Sequence, residues 1–191
     1  MKVGVLSLQG AFREHREVLD ALGVEAVEVR TPEALGALDA LILPGGESTT
    51  MSKLLDSSEL REPLAALLAE ELPVLGTCAG MILLAREVLD GRPDQQSFGA
   101  IDIAVRRNGY GRQRDSFEAQ LDVVGLAGGP FPGVFIRAPL VESVGPGTDV
   151  LSSHDGVPVL LRSGPVWVSS FHPELSGDLR LHQRFLEEVV T

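Results

Sequence analysis

The sequence is poor in cysteine, with Cys78 alone among 191 residues. One thiol cannot form an intramolecular disulfide, so we expect packing alone to stabilise the fold. Cysteine and histidine also show no metal-ligand spacing, and we expect neither a metal ion nor a cofactor. The lone thiol is therefore either reactive or a small buried apolar side chain.

Long apolar runs are missing as well. Every apolar stretch is interrupted by glycine, proline or charge well before the roughly 20 residues that cross a bilayer. The apolar run at the N-terminus is too short for the core of a signal peptide. We therefore expect no membrane partner and a cytoplasmic location.

Basic residues are few compared with acidic ones. Lys and Arg total 16 against 27 Asp and Glu, which gives a net charge of -11 and argues against nucleic acid as a partner. With 44% hydrophobic residues the chain can bury a sizeable core, and its length fits one domain over residues 1–191.

Apolar segments in the first half alternate between strand and helix patterns. Strands are predicted at 3–8, 24–29, 40–43 and 73–76, and helices at 11–22, 49–55, 59–72 and 79–89. This alternation predicts an α/β fold with helices on both faces of a mostly parallel sheet. Later segments, at 100–106, 118–124, 133–137, 157–162 and 166–171, look more antiparallel, and an amphipathic helix is predicted at 179–190.

Cys78 lies between two glycines, in the run Gly76-Thr77-Cys78-Ala79-Gly80, where a strand is predicted to meet a helix. This is the layout of a nucleophile elbow, with cysteine in place of serine. The N-terminus of a helix favours a thiolate, and the backbone N–H of Ala79 is a candidate donor to an oxyanion. On local grounds alone, a buried structural cysteine is an equally good interpretation.

A base for the thiol is best sought at His172, which follows a strand pattern. Pro173 favours an extended backbone at His172, so Glu174 should share its face and orient the imidazole. The alternative is an incidental surface turn. Among the other histidines we expect His15 to be solvated, because charged residues surround it in sequence, His154 to lie in a turn and His182 to be structural.

The run Pro44-Gly45-Gly46-Glu47-Ser48 follows the third predicted strand, at an end of the sheet where α/β proteins bind ligands. Glycine lets backbone approach a substrate closely, and the N–H of Gly46 is a candidate second oxyanion donor. The run lacks the ending of a phosphate-binding P-loop. A plain turn with a Ser or Thr helix cap is the alternative.

Four arginines fall within residues 106–114 of this acidic chain. Arginine binds carboxylates bidentately, so an amino-acid substrate is one explanation, with Arg137 as a further candidate. For Arg112 and Arg114, a solvated loop or a protein interface is the favoured interpretation.

Together these motifs resemble class I glutamine amidotransferases, which implies a three-layer α/β/α, flavodoxin-like fold with a mixed, mostly parallel sheet. The fuller runs resemble the glutaminase subunit of pyridoxal phosphate synthase, over nearly the whole chain. They are Leu8-Gln9-Gly10-Ala11-Phe12-Arg13-Glu14-His15, Gly45-Gly46-Glu47-Ser48-Thr49-Thr50, Asn108-Gly109-Tyr110-Gly111-Arg112-Gln113 and Phe135-Ile136-Arg137-Ala138-Pro139.

The resemblance implies hydrolysis of L-glutamine through a thioester on Cys78, with His172 as base and acid and Glu174 as its orienter. It implies glutamine contacts from six residues, Gly46, Glu47, Ser48, Arg107, Ile136 and Arg137, and an oxyanion hole from Gly46 and Ala79. The implied partner is a separate synthase subunit, a barrel of the PdxS family that receives the ammonia.

Three alternatives stay open at this point. The chain could serve another pathway as its glutaminase subunit, although the N-terminal and arginine-rich runs argue against this. It could be a non-catalytic regulatory subunit on the same fold, or a cysteine hydrolase or redox sensor of the elbow type. The complete set of Cys78, His172 and Glu174 favours the glutaminase over the regulatory subunit and over the other cysteine hydrolase or redox sensor.

Overall fold

The computed structural model describes residues 1–107, 109 and 116–189. The helices are α1 (Phe12–Ala21), α2 (Ser48–Ser57), α3 (Arg61–Ala69), α4 (Ala79–Leu84) and α5 (Arg180–Val189), with 3-10 turns at Pro32–Leu35 and Pro173–Leu175. The strands are β1 (Lys2–Leu6), β2 (Glu25–Val29), β3 (Ala40–Leu43), β4 (Val74–Thr77), β5 (Ala85–Val88), β6 (Ile101–Arg106), β7 (Ser116–Leu121), β8 (Phe131–Ile136), β9 (Leu140–Val144), β10 (Asp149–His154), β11 (Val157–Ser163) and β12 (Val166–Ser169).

Seven strands form the central sheet, in the order β10-β11-β12-β4-β3-β1-β2. The neighbours from β12 to β2 run parallel, while β11 pairs antiparallel with both β10 and β12. The α/β class and the mixed, mostly parallel sheet predicted from the sequence are confirmed.

Apolar side chains cover both faces of this sheet, because neighbouring residues of a strand point to opposite sides. On β3, Leu41 and Leu43 belong to one core and Ile42 to the other. The first core takes side chains from α2, α3 and α4, and the second takes side chains from α1 and α5. Helices on both faces give the three layers expected.

Two smaller sheets extend these cores. The sheet β5-β6-β9 adds Ile101, Ile103 and Val141 to the core beneath α2 and α4. The hairpin of β7 and β8 adds Phe131 and Phe135 to the core beneath α1 and α5. Ile136 is the last residue of β8 and Arg137 follows it, so the hairpin fixes where both residues lie.

Three sequence expectations about the elements were wrong. The helix predicted over 79–89 ends at Leu84, where Ala85 turns to extended backbone (φ -59°, ψ 148°) and β5 begins. Strands β9 and β10 were not predicted. The grouping of the last strand, β12, with the antiparallel half was right for its pairing with β11 but wrong for its pairing with β4, which is parallel.

None of the helices in the described part of the chain combines the length and the apolar character needed to cross a membrane.

The close packing of α4 against β3 can be tested at Gly80. A Cβ at Gly80 would lie 2.0 Å from the backbone oxygen of Leu43, and backbone cannot yield as a side chain can. Helix propensity favours alanine over glycine by about 1 kcal/mol, but a forced backbone shift typically costs about 1–3 kcal/mol and opposes that gain. Gly80→Ala should therefore lower the free energy of unfolding, measured by urea denaturation.

Gly36→Ala is the matched control. Its Cβ would lie 3.5 Å from the backbone oxygen of Glu33, which is an ordinary contact. We expect a change within about 0.5 kcal/mol. Equal stability of the two variants would show that α4 can move away from β3 without cost.

Candidate active site

Cys78 stands at the junction of β4 and α4, where the chain turns sharply. Its backbone has φ 49° and ψ -100°, a conformation that non-glycine residues rarely adopt and that costs roughly 1–3 kcal/mol. The backbone N–H of Cys78 donates to Ser169 O (2.8 Å), which extends the β4–β12 pairing by one step. The Sγ lies 3.9 Å from the carbonyl oxygen of Ile136. The side chain is buried but borders a cavity.

His172 follows β12, and the parallel pairing of β12 with β4 brings it to the same edge of the sheet as Cys78. Its backbone N–H donates to Val134 O on β8 (2.8 Å). Its Nδ1 lies 2.7 Å from Oε1 of Glu174. Glu174 is also buried, and it belongs to the 3-10 turn at Pro173–Leu175. An ionised carboxylate only accepts, so Nδ1 carries the proton and donates it.

The imidazole of His172 is held in its charged form. Burial acts to lower its pKa, but the hydrogen bonds and charges of Cys78 and Glu174 outweigh burial and raise the pKa to about 10. Burial likewise acts to raise the pKa of the Glu174 carboxyl, and contacts with His15 and His172 overcome it, so that this pKa is lowered. At neutral pH the arrangement therefore pairs an imidazolium with a buried carboxylate.

A cavity of about 360 Å³ opens beside Cys78. All six residues that the sequence suggested for substrate contact line it, together with Cys78 and His172 and with two residues not suggested for that purpose, Gln9 and Ile82. The volume falls in the range of small-molecule sites.

Glu47 lies in the loop Gly45-Gly46-Glu47, at one side of the cavity. Its carboxylate accepts from the backbone N–H groups of Thr49 (3.1 Å) and Thr50 (2.7 Å), so the cap of α2 is Glu47 and not the Ser or Thr of the alternative interpretation. Arg107 Nη2 donates to the same carboxylate (2.8 Å), and the backbone N–H of Glu47 donates to Gln9 Oε1 (2.8 Å). These bonds connect the loop to α2, to Gln9 and to Arg107.

The arginines suggested by the sequence differ in where they lie. Arg106 donates to Glu142 (2.6 Å) and does not line the cavity. Arg107 and Arg137 line the cavity, and Arg137 is exposed with a positive φ of 43°. Asn108, Tyr110, Gly111, Arg112, Gln113 and Arg114 lie outside the described residues.

Of the two candidate oxyanion donors, Gly46 lines the cavity, whereas Ala79 follows the cavity-lining Cys78 in the chain. The Cα of Gly46 is close to the side chain of Gln9, and a Cβ there would lie 2.5 Å from Gln9 Oε1. Ala79 is the first residue of α4, so its N–H has no acceptor within the helix.

The expectation that His15 is solvated was wrong. His15 is completely buried, with Nδ1 3.0 Å from Nε2 of His182 and Nε2 3.1 Å from Oγ1 of Thr77. Its charged neighbours in sequence point elsewhere, and Val18 and Leu19, three and four residues later, mark its true face. That spacing was the available signal.

His182 is buried in α5, as expected of a structural residue. His154 ends β10, where it stacks on Phe117 and lies tilted against Phe135, instead of lying in a turn. Within the described residues, no group of three or more His, Cys, Asp or Glu side chains could hold a metal ion.

Similarity to known proteins covers nearly the whole chain. The model of the SNO glutamine amidotransferase family matches residues 5–191. A Mycobacteroides abscessus protein named pyridoxal 5'-phosphate synthase subunit PdxT is 56% identical over 187 residues, 98% of this chain and 96% of its own. A Dehalococcoides mccartyi protein of the same name is 54% identical over 192 residues, 100% of this chain and 98% of its own.

Solved structures show the same architecture. A crystal structure of a glutamine amidotransferase has a TM-score of 0.93 and 50% identity, and covers 99% of both chains. A glutamine amidotransferase from Thermotoga maritima has a TM-score of 0.62 at 13% identity, covering 100% of this chain and 84% of its own, and is similar in fold alone.

The charged state of His172 can be tested directly. Its Cε1–H resonance, followed by NMR against pH, should titrate near pH 10. Glu174→Gln removes a negative charge and Cys78→Ala removes a sulfur acceptor, and both groups favour the imidazolium. Each substitution should therefore lower the pKa of His172, by about one unit or more.

Glu25→Gln is the control, because Glu25 is exposed on β2 and pairs with Lys2 at the far edge of the sheet. It should leave the titration of His172 unchanged. A titration that is the same in the wild type and all three variants would show that neither Cys78 nor Glu174 sets the charge of His172.

Proposed function

Because the chain belongs to the SNO glutamine amidotransferase family, we propose that it is the glutaminase subunit of a pyridoxal 5'-phosphate synthase. In this proposal residues 1–191 form a single glutaminase domain that hydrolyses L-glutamine to L-glutamate and ammonia. The observation that carries it is a lone thiol, Cys78, on a strained turn beside a charged His172, both lining a cavity of about 360 Å³.

Charge complementarity supports binding of an amino acid there. Arg107 and Arg137 bring positive charge to a cavity in a chain of net charge -11, and arginine suits a carboxylate. Arg107 Nη2 donates to Glu47, whereas Arg107 Nε is buried without a hydrogen-bond partner among the described residues. This guanidinium therefore has an N–H donor that its bond to Glu47 does not use. We assign the α-carboxylate of glutamine to these arginines, and Glu47, Ser48 and Ile136 to the rest of the substrate.

In the first half of the proposed reaction, Cys78 Sγ attacks the carbon of the side-chain amide. The reactive form is the ion pair of thiolate and imidazolium. The negative charge that develops on the amide oxygen is stabilised by the N–H groups of Gly46 and Ala79. His172 gives its Nε2 proton to the amide nitrogen, the C–N bond breaks, and ammonia leaves a glutamyl thioester on Cys78.

In the second half, neutral His172 takes a proton from water as the oxygen attacks the thioester carbon. The C–S bond breaks, glutamate leaves, and the pair of Cys78 thiolate and His172 imidazolium is restored. Glu174 stabilises the imidazolium and fixes the proton on Nδ1 throughout. No redox step or cofactor is required by this sequence of bonds.

The ammonia is proposed to pass to a separate synthase subunit, a barrel of the PdxS family, in a hetero-oligomer. Support comes from relatives that carry the synthase-subunit name and match this chain over nearly their full length. A regulatory subunit without catalysis would have no need of a strained cysteine or of a buried carboxylate behind a charged histidine.

Removal of the sulfur tests the mechanism. Cys78→Ala, mixed with a PdxS-type synthase subunit, should release no glutamate from glutamine above background, measured by coupled glutamate oxidation. Ser57→Ala, an exposed change at the end of α2, should keep wild-type activity. Glutamate release by the Cys78→Ala variant at the wild-type rate would reject the thioester mechanism.

Removal of a cavity arginine tests the binding mode. A hydrogen bond to a charged group contributes about 1.5–3 kcal/mol, so Arg107→Ala should raise the KM for glutamine about tenfold or more. The kcat should change less, because Arg107 is assigned to the α-carboxylate and lies away from the reacting amide. Arg92→Ala, which removes an exposed arginine paired with Asp94, is the control. An unchanged KM would limit Arg107 to holding Glu47 in place.

A further inference from the structure

Behind Glu174 lies a pair of histidines that the proposed mechanism does not use. His15 on α1 and His182 on α5 are completely buried, and His15 Nδ1 lies 3.0 Å from His182 Nε2. On its other side, His15 Nε2 lies 3.1 Å from Thr77 Oγ1 and 3.4 Å from Glu174 Oε2. Since Thr77 precedes Cys78, this one ring contacts both the strand that carries the thiol and the carboxylate.

The second carboxylate oxygen of Glu174, Oε2, requires a hydrogen-bond donor nearby. Oε1 is occupied by His172, whereas Oε2 is buried and has no hydrogen-bond partner among the described residues. An uncompensated buried carboxylate is costly and tends to take up a proton. The polar edge of His15 faces this oxygen across 3.4 Å, close enough for a small adjustment to complete the bond.

Both histidines are neutral near pH 7. Burial lowers the pKa of His15; His172 adds to this effect, while Glu174 and Glu14 oppose it. Burial and the neighbouring His15 lower the pKa of His182 to about 3, against the opposing charge of Glu174. Each ring therefore carries one N–H, and the tautomer decides what it can donate.

The contacts select one tautomer. His182 Nδ1 is buried and has no partner among the described residues, and an N–H left unpaired there would cost more than a bare lone pair. The proton of His182 therefore belongs on Nε2, which donates to His15 Nδ1. This leaves the proton of His15 on Nε2, where it faces Thr77 Oγ1 and Glu174 Oε2.

We propose that His15, oriented by His182, is a positioning residue for the Glu174 carboxylate. Its Nε2–H, shared between Glu174 Oε2 and Thr77 Oγ1, keeps the carboxylate ionised and turned towards His172. The consequence for catalysis rests on the proposed function, but the effect on the Cys78–His172 pair does not.

The tautomers can be observed in the unmodified protein. Long-range ¹H–¹⁵N spectra of histidine-labelled protein at neutral pH should show His15 and His182 neutral, both protonated on Nε2. Assignment uses the substitution of each histidine in turn. A charged His15, or a proton on its Nδ1, would overturn the proposal, and this measurement does not depend on whether any variant folds.

Paired substitutions test the consequence. His15→Leu removes the donor, whereas His15→Gln keeps an N–H donor near the position of Nε2. With the synthase subunit present, His15→Leu should lower kcat about tenfold with KM changed less than about twofold, and should move the alkaline limb of the pH profile to lower pH. His15→Gln should recover most of the loss. His154→Gln, which changes a histidine stacked on Phe117 outside the network, is the control.

A second readout separates this proposal from the proposed function. Cys78 is the only thiol, so its alkylation by iodoacetamide reports the thiolate without glutamine or a partner. At neutral pH, His15→Leu should be alkylated about threefold more slowly than the wild type, and His15→Gln at nearly the wild-type rate. Equal rates in all variants would overturn the proposal. If the wild type is alkylated as expected but releases no glutamate from glutamine with the synthase subunit present, only the glutaminase assignment would be overturned.

Discussion

The site depends on the parallel register between β4 and β12. Thr77 pairs with Ser169, and the backbone N–H of Cys78 continues that ladder by donating to Ser169 O. Because the carboxyl ends of parallel strands meet at one edge of a sheet, the residues that follow each strand are forced together although they are far apart in sequence. A shift by one residue in this register would change the position of His172 relative to Cys78.

Hydrophobic periodicity predicted the parallel half of the fold well, because β1, β3 and β4 are almost wholly buried and read as short apolar runs. β3 was predicted over the range observed, Ala40–Leu43. The later half was harder. Segments such as β9 and β10 carry charged and turn-forming residues. β9 pairs with β6, which is remote in sequence, whereas β10 forms a hairpin with β11. The early end of α4 likewise follows from the pairing of β5 with β6, which no local signal reports.

Candidate site residues could be located from the sequence where their spacing along the chain determines how they lie relative to one another. They were misjudged where the role of a residue depends on whether it is buried. The elbow around Cys78 and the run His172-Pro173-Glu174 are local patterns that the sequence shows directly. His172 does contact Glu174, but through a 3-10 turn at Pro173–Leu175 and not through the extended backbone that was expected. His15 was misjudged because its immediate neighbours are charged, while its fate is set by the helix face that it shares with Val18 and by α5, packed against it from the far end of the chain. Burial of a polar residue is a tertiary property, and sequence alone shows it only through periodicity.

The backbone at Cys78 has a consequence for how the chain can change. Glycine would adopt φ 49° there without strain, so the same sequence with glycine at this position gains stability and loses its thiol. Any search for thermostable variants that selects on folding alone would therefore favour loss of the sulfur. Keeping a side chain on this turn requires selection for activity.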